Sequence, residues 1–325
     1  MAYLSVVIPV YNEEHCLGEL YRRLTESLAA IARDYEIVLV DDGSRDRSWE
    51  MITGLAQKDD RVKALQFSRN FGQHYCITAG LDACDGDWVV IMDADLQDRP
   101  EEIAKLHARA QEGYDIVHAR RVHRRHPLPE KVAAKLFYWF FNYMTGMHHD
   151  GQVGTFRMLS RRVVENFRMM REQMRYLGGM LEWMGFPTSK VDVQHDARKA
   201  GSSAYSFRRR WRLAQGAIIA YSDRPLQLTV QLGFLIALLA LLYGVYVLAR
   251  VLFFGAGVEG WPSLIVSIFF LGGIVIATLG IVGIYLERTF AETKRRPLYI
   301  IKERVNLNKD NNPRRHGEHR AQNES

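Results

Sequence analysis

Cysteine is scarce in this 325-residue chain, which contains only Cys16, Cys76 and Cys84. None of the three belongs to a C-x-x-C pair or to another zinc-type spacing. The small number excludes a disulfide-stapled secreted scaffold, and the spacing excludes a structural zinc site built on cysteine. The first ten residues also lack a basic segment and hold only a brief apolar run, so the sequence predicts no cleavable signal peptide.

Charged residues are absent from two long stretches, Leu226–Ala249 and Pro262–Leu286, of 24 and 25 residues. At ~1.5 Å rise per residue, either stretch can cross a hydrocarbon core of ~30 Å as a helix. Buried helices of a soluble protein are the alternative, but soluble helices of this length normally carry a polar face. We therefore expect two transmembrane helices that form a hairpin.

The distribution of basic residues predicts the orientation of this hairpin. The connector, residues 250–261, holds one basic residue, whereas the segments before and after the hairpin are rich in Arg and Lys. The positive-inside rule then places both flanks in the cytoplasm and the connector outside. The predicted localisation is the inner, cytoplasmic membrane, with two spans and a cytoplasmic C-terminal tail. The net charge of +6 favours an anionic partner, such as acidic lipid, nucleic acid or a phosphate-bearing substrate.

Strand-like and helix-like patterns alternate over residues 1–118. The short, β-rich apolar runs are Tyr3–Val10, Glu36–Val40, Val62–Phe67 and Trp88–Met92. Polar–apolar stretches of helical period lie between them, for example Glu14–Arg33 and Ser44–Lys58. Such alternation predicts an α/β fold built from βαβ units around a mostly parallel sheet.

Acidic and polar residues cluster directly after three of the predicted strands. These clusters are Tyr11-Asn12-Glu13-Glu14, Asp41-Asp42-Gly43-Ser44 and Asp93-Ala94-Asp95. Ligands of open α/β sheets bind outside the carboxyl ends of the strands, so we expect the clusters to converge on one crevice. Two carboxylates separated by one residue can hold a hard cation together with phosphate oxygens, although an isolated triplet can also be a solvated turn.

Four motifs carry a resemblance to a known family. They are VVIPVYNEE, VDDGSRDRS, SRNFGQHYCITAGLDACDGDWVVIMDADLQDRPEEI and RKAGSSAYSFRRRW. In order and spacing they resemble family 2 glycosyltransferases of the GT-A fold, in the branch of dolichol-phosphate mannose synthase and the bacterial polyprenyl-phosphate glycosyltransferases. The resemblance covers about residues 3–230, and the paired spans match the bacterial members. It implies an α/β GT-A domain in the cytosol, followed by two transmembrane helices.

The resemblance implies a nucleotide-sugar donor, a divalent metal (Mg²⁺ or Mn²⁺) and a polyprenyl-phosphate acceptor on the cytoplasmic leaflet, with inversion at the anomeric carbon. By the same resemblance, the residues that hold the nucleotide are Pro9, Tyr11, Glu13, Asp42 and Asp93. Asp93 and Asp95 are the implied metal ligands. The residues implied in catalysis are Asp95, Gln97, Arg157 and Arg198.

The chain departs from the family pattern at two positions. Thr155 stands in the segment Gly154-Thr155-Phe156-Arg157, where many relatives carry an acidic residue that is a candidate base. A lipid phosphate is already ionised near neutral pH, so positioning and charge neutralisation can carry most of the rate. Ala204 stands where relatives often carry Lys, and Arg198 or Lys199 is expected to replace that cation. The stretch at residues 70–72 has two interpretations that the sequence leaves open, a nucleotide-binding loop or a plain turn before a helix.

Basic residues concentrate in the acid-free stretch 198–212. We expect Arg198, with Arg157, to face the chemistry as a forked phosphate ligand, and the 208–212 run to face lipid headgroups. A nucleic-acid partner is disfavoured, because the basic runs adjoin membrane spans rather than a recognisable binding module. The aromatic segment 129–147 is read as an interfacial helix, with a core helix of the cytosolic domain as the alternative.

The predicted domains are a glycosyltransferase domain at 1–206, a juxtamembrane amphipathic helix at 207–225, a transmembrane hairpin at 226–286 and a basic cytoplasmic tail at 287–325. The predicted activity is sugar transfer to polyprenyl phosphate for surface glycan or lipid modification. Two alternatives stay open here: a transferase that acts on a glycan or another lipid, and a degenerate scaffold without activity. The processive Q-x-x-R-W signature is absent, since Phe207 stands where its Gln would be. Membrane lipids are expected partners, and a homo-oligomer is left open.

Overall fold

The structure, a computed structural model, describes residues 4–121, 143–144, 153–196, 224–254 and 260–307. The chain divides into two compact units. The first unit comprises 1–138, 149–204 and 297–325, and the second comprises 139–148 and 205–296. Apart from the helical residues 143–144 and 224–225, the predicted interfacial helix at 129–147 and juxtamembrane helix at 207–225 lie outside the described residues.

The described residues of the first unit form one mixed sheet with helices packed on it. The strands are β1 Leu4–Val10, β2 Tyr35–Asp41, β3 Val62–Phe67, β4 Trp88–Ile91, β5 Ile116–Arg121, β6 Val153–Ser160, β7 Thr188–Val193 and β8 Ile301–Val305. The helices of this unit are α1 Leu17–Ile31, α2 Ser48–Lys58, α3 Gln73–Ala83, α4 Ile103–Ala110, α5 Arg161–Met169 and α6 Leu177–Trp183, with a short 3₁₀ turn at Pro100–Glu102.

The strand order is β7-β5-β6-β4-β1-β2-β3-β8. Strands β1 to β4 are mutually parallel where they pair, and β5 pairs with β7 in parallel. Strand β6 is antiparallel to β4 and β5, and β8 is antiparallel to β3. The predicted α/β class and mostly parallel sheet are therefore confirmed.

The core follows from the apolar patterns. Strand β2 is buried at every position and β1 at all but Pro9, as expected for parallel strands covered on both faces. Helix α1 presents Leu17, Leu20, Leu24 and Leu28 to the sheet, a spacing of three and four residues that places them on one face.

The parallel register brings the predicted polar clusters to one edge of the sheet. Val10 at the end of β1 pairs with Asp41 at the end of β2, and Asp41 pairs with Gln66 near the end of β3. Val7 pairs with Ile91, the last residue of β4. The loops that follow these four strands therefore emerge side by side.

The second unit contains two long helices, α7 at Arg224–Phe254 and α8 at Trp261–Thr293, of 31 and 33 residues. Within the described residues, the stretch Phe270–Thr293 is long and apolar enough to cross a membrane, and none of it is buried. One membrane-spanning candidate is thus found by length and composition, and the two-span hairpin stays a prediction.

The predicted cytoplasmic tail at 287–325 contains regular structure in its first part. Its predicted start lies inside α8, which continues to Thr293, and residues 301–305 form β8 at the edge of the sheet. The strand was missed because its three central residues are charged and exposed, which hides the apolar signal of a strand. An edge strand needs little apolar surface, because main-chain pairing with β3 satisfies its backbone on one side.

Candidate active site at the carboxyl edge of the sheet

The loop after β1 is fastened to the loop after β2. The Asn12 main-chain N–H donates to Ser44 Oγ at 3.0 Å, and the Arg45 N–H donates to Asn12 Oδ1 at 2.8 Å. The Glu13 N–H donates to Ser48 Oγ at 2.9 Å. Asn12 itself has a positive φ of 56°, a conformation that asparagine tolerates better than most residues. Predicted nucleotide-binding residues at this edge are therefore held on a fixed backbone, and Tyr11 is 41% exposed there.

The turn after β2 depends on a buried carboxylate and a glycine. Asp41 accepts the Ser44 N–H at 3.2 Å and the Gln66 Nε2–H at 3.4 Å. Burial raises the pKa of Asp41, and these hydrogen bonds act in the opposite direction. Gly43 has φ +68°, and a Cβ at this position would lie 2.8 Å from the Arg69 carbonyl carbon. Only glycine permits this close approach of the loop after β3.

Asp42 organises the loop that precedes α3. Its carboxylate accepts the Phe71 N–H at 2.7 Å and the Gly72 N–H at 2.9 Å, and its side chain is only 4% exposed. Burial raises the pKa of Asp42, whereas the two main-chain donors lower it. The segment at residues 70–72 is thus a turn whose amides are bound by an acidic residue of the neighbouring strand.

The first residue of α3 connects this turn with the Asp93-Ala94-Asp95 motif. Gln73 Nε2 donates to Asp93 Oδ1 at 2.6 Å and lies 3.5 Å from Thr155 Oγ1 on β6. Asp42 is linked to Asp93 through three consecutive residues, 71–73. The two acidic clusters expected to converge do so through this segment.

Asp93 lies in a strongly acidic environment. Burial, together with the negative charges of Asp98 and Asp95, raises the pKa of its carboxyl to about 7. Arg121 and Arg157 act in the opposite direction. Asp95 Oδ1 accepts the Gln97 N–H at 3.1 Å, which closes a tight turn just after β4. Like charges held this close favour binding of a cation.

Asp98 is a third carboxylate at this site that the sequence did not single out. It is 1% exposed, and its Oδ1 lies 3.3 Å from Arg121 Nη2 and 3.2 Å from His195 Nδ1. Its Oδ2 has no hydrogen-bond partner among the described residues. A Cβ on Gly154 would lie 2.8 Å from Arg121 Nη2, so this glycine makes room for the guanidinium.

The loop after β4 is also tied to the segment that leads into residues 197–223. The Asp196 N–H donates to the Gln97 carbonyl at 2.9 Å, and Asp98 and His195 form an isolated antiparallel bridge. Arg99 makes a bidentate ion pair with Asp196. The predicted catalytic residue Arg198 follows two positions later, outside the described residues.

Arg157 is the one predicted catalytic cation that the structure describes. It pairs with Ile91 across β4 and β6 and is 6% exposed. Its Nε and Nη2 donate to the carbonyls of Thr155 and Gly154 at 3.0 and 2.6 Å, whereas Nη1 has no partner among the described residues. Burial lowers the pKa of Arg157 to about 10, and nearby Tyr176 and Asp93 favour its charged form. Arg157 thus keeps donor capacity beside Asp93.

His74, next to Gln73 on α3, faces the same cations. Burial, together with the positive charges of Arg157 and Arg175, lowers the pKa of its imidazole to about 4. His74 is therefore neutral at physiological pH. A neutral imidazole leaves the charge of the site to the carboxylates and the guanidinium groups.

The chemistry of the acidic side chains fits Mg²⁺ or Mn²⁺. No group of three or more His, Cys, Asp or Glu with the geometry of a complete metal cage occurs in the part of the chain that the structure describes. Mg²⁺, however, uses one or two protein carboxylates and takes its other ligands from water and phosphate. Asp93 and Asp95 can supply that number of hard oxygen ligands, and Oδ2 of the nearby buried Asp98 has no hydrogen-bond partner among the described residues.

Most of the predicted site residues occupy this one edge. Gln97 and Arg157 flank the acidic turn after β4, while Pro9 is half-buried near the end of β1. Two residues of the site, Asp98 and His195, were not predicted from the sequence. Asp98 is three positions after Asp95 and has the same chemistry, so its position carried a usable signal. The contact between Asp98 and His195 joins residues 97 positions apart, and no local pattern in the sequence indicates it.

The chain is similar to known proteins in sequence and in fold. The profile of the glycosyl transferase family 2 matches residues 5–168. The chain is 38% identical to the uncharacterized glycosyltransferase YkcC of Bacillus subtilis over 92% of this chain and 93% of that protein. It is also 38% identical to the bactoprenol glucosyl transferase of Shigella phage SfV, over 92% of this chain and 98% of that protein. A crystal structure of glucosyl-3-phosphoglycerate synthase from Mycobacterium tuberculosis superposes with a TM-score of 0.51 at 17% identity, covering 68% of this chain and 80% of that one, which shows a shared fold.

Proposed function

Because the chain belongs to glycosyl transferase family 2, we propose that it transfers a sugar from a nucleotide donor to polyprenyl phosphate at the cytoplasmic face of a membrane. The observation that carries the proposal is the convergence of Asp42, Gln73, Asp93 and Arg157 at the carboxyl edge of the sheet. Relatives named bactoprenol glucosyl transferase, 38% identical over nearly their whole length, favour a polyprenyl acceptor over the glycan acceptor. The enzyme family, with its acidic motif intact, disfavours the inactive scaffold.

The nucleotide is proposed to bind along the ends of β1 and β2. Tyr11 and Glu13 lie on the loop after β1, which is hydrogen-bonded to Ser44 and Ser48. Pro9 lies just before this loop, near the end of β1. Asp42 already accepts two main-chain hydrogen bonds, but an ionised carboxylate has about four acceptor sites and can take one more from a base or ribose. Its main task is to hold the 70–72 turn in place beside the donor.

A divalent cation is proposed to bind at Asp93 and Asp95, with Gln97 nearby. When bound, it supplies positive charge that stabilises the departing nucleoside diphosphate. Gln73 orients Asp93 through a direct hydrogen bond, and the Gln97 N–H orients Asp95. Both carboxylates are thereby preset before substrate arrives, which removes a reorganisation cost from the reaction.

The lipid phosphate is proposed to attack the anomeric carbon directly, with inversion. Thr155 cannot act as a base, and the neutral His74, whose pKa is about 4, is a poor one. An ionised phosphate oxygen needs no deprotonation, so orientation by cationic side chains is sufficient. The proposed phosphate ligands are Arg157, whose Nη1 has no hydrogen-bond partner among the described residues, and Arg198, which follows Asp196 by two positions in the chain.

Membrane attachment is proposed through two spans, 226–249 and 262–286, with the transferase domain and the C-terminal residues in the cytoplasm. A cysteine placed in the connector 251–261 should react with an impermeant maleimide in intact cells, because the basic flanks stay inside. A cysteine at the polar C-terminal end should label only after permeabilisation. Labelling in the opposite order would overturn this topology.

Product analysis tests the proposed reaction. Membranes that contain the protein are incubated with undecaprenyl phosphate and a panel of UDP- and GDP-sugars, starting with UDP-glucose, and the lipid product is identified by mass spectrometry. We expect one polyprenyl-phosphate sugar, which the Asp95→Asn variant does not form. Transfer to a glycan with no lipid product would contradict the proposal.

A further inference from the structure

The segment that follows α8 contacts the turn beside the proposed donor site. We propose that Tyr299, in this segment, is a positioning residue that holds residues 68–72 in the conformation required for donor binding. The inference rests on the proposed function only for the identity of the donor. The structural part concerns the turn itself and can be tested without any substrate.

Tyr299 is held at both ends of its side chain. Its ring stacks on Phe67, the last residue of β3, with a centroid distance of 5.1 Å and an interplanar angle of 14°. Its hydroxyl donates to Asp82 Oδ2 at 2.7 Å, and Asp82 also accepts two hydrogen bonds from Arg171. The ring therefore has one defined position against the end of β3.

Phe67 transmits this position to the turn. It is 1% exposed, and it also makes an edge-to-face contact with the Phe71 ring, at 5.5 Å and 81°. The Phe71 N–H is one of the two main-chain donors to Asp42, at 2.7 Å. Two aromatic contacts thus connect Tyr299 with the hydrogen bonds that Asp42 makes to the turn.

A main-chain contact reinforces the aromatic one. The Ser68 N–H donates to the Ile300 carbonyl at 3.0 Å, so the residue after Tyr299 fixes the first residue of the turn. The pairing of β3 with β8 shifts register between Gln66 and Phe67. Such irregularities redirect the chain at sheet edges, and this one lies where the turn begins.

The position of Tyr299 in the chain gives this contact a consequence. Residues 294–298 separate it from Thr293, the end of α8, so a short segment joins a long apolar helix to a support of the donor site. The long-range pairing also explains why 297–325 belongs to the first compact unit. Donor affinity is then sensitive to the segment after the second predicted span, although it contributes no residue to the acidic motif.

Trp49 offers a matched control, because it holds the same β8 strand away from the turn. Its Nε1–H donates to Glu303 Oε2 at 3.1 Å. Trp49→Phe removes this hydrogen bond but keeps an aromatic ring. If the C-terminal segment acts only as general support for the sheet, loss of either anchor should have the same effect on the turn.

The first experiment measures amide hydrogen exchange at Phe71 and Gly72 in the full chain in detergent, without nucleotide. Tyr299→Leu should accelerate exchange at both amides several-fold, whereas Trp49→Phe should leave them unchanged. Tyr299→Phe keeps the stacking ring, so its exchange rates should equal those of the wild type or lie between those of the wild type and Tyr299→Leu. Unchanged protection in Tyr299→Leu, or equal loss in Trp49→Phe, would overturn the inference.

The second experiment separates donor affinity from turnover, with UDP-glucose and undecaprenyl phosphate as the substrates. Loss of an aromatic pair is expected to raise the donor KM of Tyr299→Leu by about 3- to 10-fold, with kcat changed by less than about 2-fold. A fall in kcat at constant KM would overturn the positioning role. If the wild type transfers no sugar from any donor, the proposed function fails, while the exchange result still decides the inference on Tyr299. If Tyr299→Leu does not fold, Phe71→Leu, which removes the edge-to-face contact with Phe67, repeats both measurements, and faster exchange at Gly72 with a raised donor KM is again the expected result.

Discussion

The elevated pKa of Asp93 predicts that stability, and the proposed metal binding at this residue, depend on pH in a defined direction. Its carboxyl has a pKa of about 7 instead of the ordinary 3.8, so the folded protein retains this proton where the unfolded chain has lost it. Without metal, this group makes the free energy of unfolding fall as pH rises from about 4 to about 7. At ~1.4 kcal/mol per pH unit, the loss amounts to about 4 kcal/mol. A bound cation reverses the preference, because it favours the ionised carboxylate.

The test is the melting temperature of the purified protein with and without Mn²⁺ at two pH values. At a Mn²⁺ concentration about 100 times its dissociation constant, binding stabilises the folded protein by ~2.7 kcal/mol. This value applies at about pH 8, where the Asp93 carboxylate is ionised and can bind the cation. At about pH 5.5, protonation of Asp93 weakens Mn²⁺ binding ~30-fold, so the stabilisation of the folded protein by Mn²⁺ falls to about 0.8 kcal/mol. The difference of about 2 kcal/mol corresponds to a Mn²⁺-induced rise in Tm that is larger by about 4–8 °C at the higher pH.

Two variants serve as controls for this experiment. Asp93→Asn should remove the pH dependence, because an amide does not titrate, and it should weaken the Mn²⁺ effect at both pH values. Asp192→Asn removes an exposed carboxylate paired with Arg120 and should leave the difference intact. The reasoning is refuted if Mn²⁺ raises the Tm equally at both pH values, or if Asp93→Asn retains the difference.

Three further predictions follow from the same geometry. Asp95→Asn should lose sugar transfer by more than about 100-fold with little change in Tm, and full wild-type activity in EDTA would contradict the metal requirement. Gly43→Ala should lower the free energy of unfolding by about 1–3 kcal/mol in chemical denaturation, because φ is +68° and a Cβ would lie 2.8 Å from the backbone of the loop after β3. The control is Gly54→Ala in α2, where a Cβ would meet open space, and this variant should be neutral or stabilising. Arg198→Ala should reduce turnover in detergent by about 10- to 100-fold, because it removes a charge-assisted hydrogen bond of about 1.5–3 kcal/mol. Arg209→Ala should weaken binding to anionic vesicles and leave turnover unchanged. Near-normal turnover in both variants would mean that Arg198 only contacts lipid headgroups.

Local patterns in the sequence were sufficient to predict the four strands at the centre of the sheet. The first four strands are short apolar runs that begin and end within one residue of their predicted bounds, because each is buried on both faces of a parallel sheet. Parallel strands have their carboxyl ends at the same edge, so the meeting of Asp42 and Asp93 followed from topology alone. The acidic motif was identifiable because its residues are neighbours in the chain.

Contacts between distant residues were not predictable from one sequence. Asp98 and His195 are 97 positions apart, and Tyr299 and Asp82 are 217 apart. Strand β8 has an exposed, charged centre, so its composition resembles that of a solvated tail. Its position depends on an available edge of β3, and that edge is known only once the rest of the sheet has been assembled.

The charge arrangement explains why such distant contacts matter at this site. Asp93, Asp95 and Asp98 lie together on one short loop, and Arg121 and Arg157 oppose their charge without a direct ion pair to Asp93. A direct pair would satisfy Asp93 and weaken its attraction for a cation, whereas no positive charge at all would make the folded domain unstable. Holding Arg157 on carbonyl groups and Arg121 on Asp98 avoids both outcomes. Among the described residues, Asp93 is therefore left without a paired cation, which supports the proposal that a divalent ion binds at Asp93 and Asp95 and attracts the diphosphate of the donor.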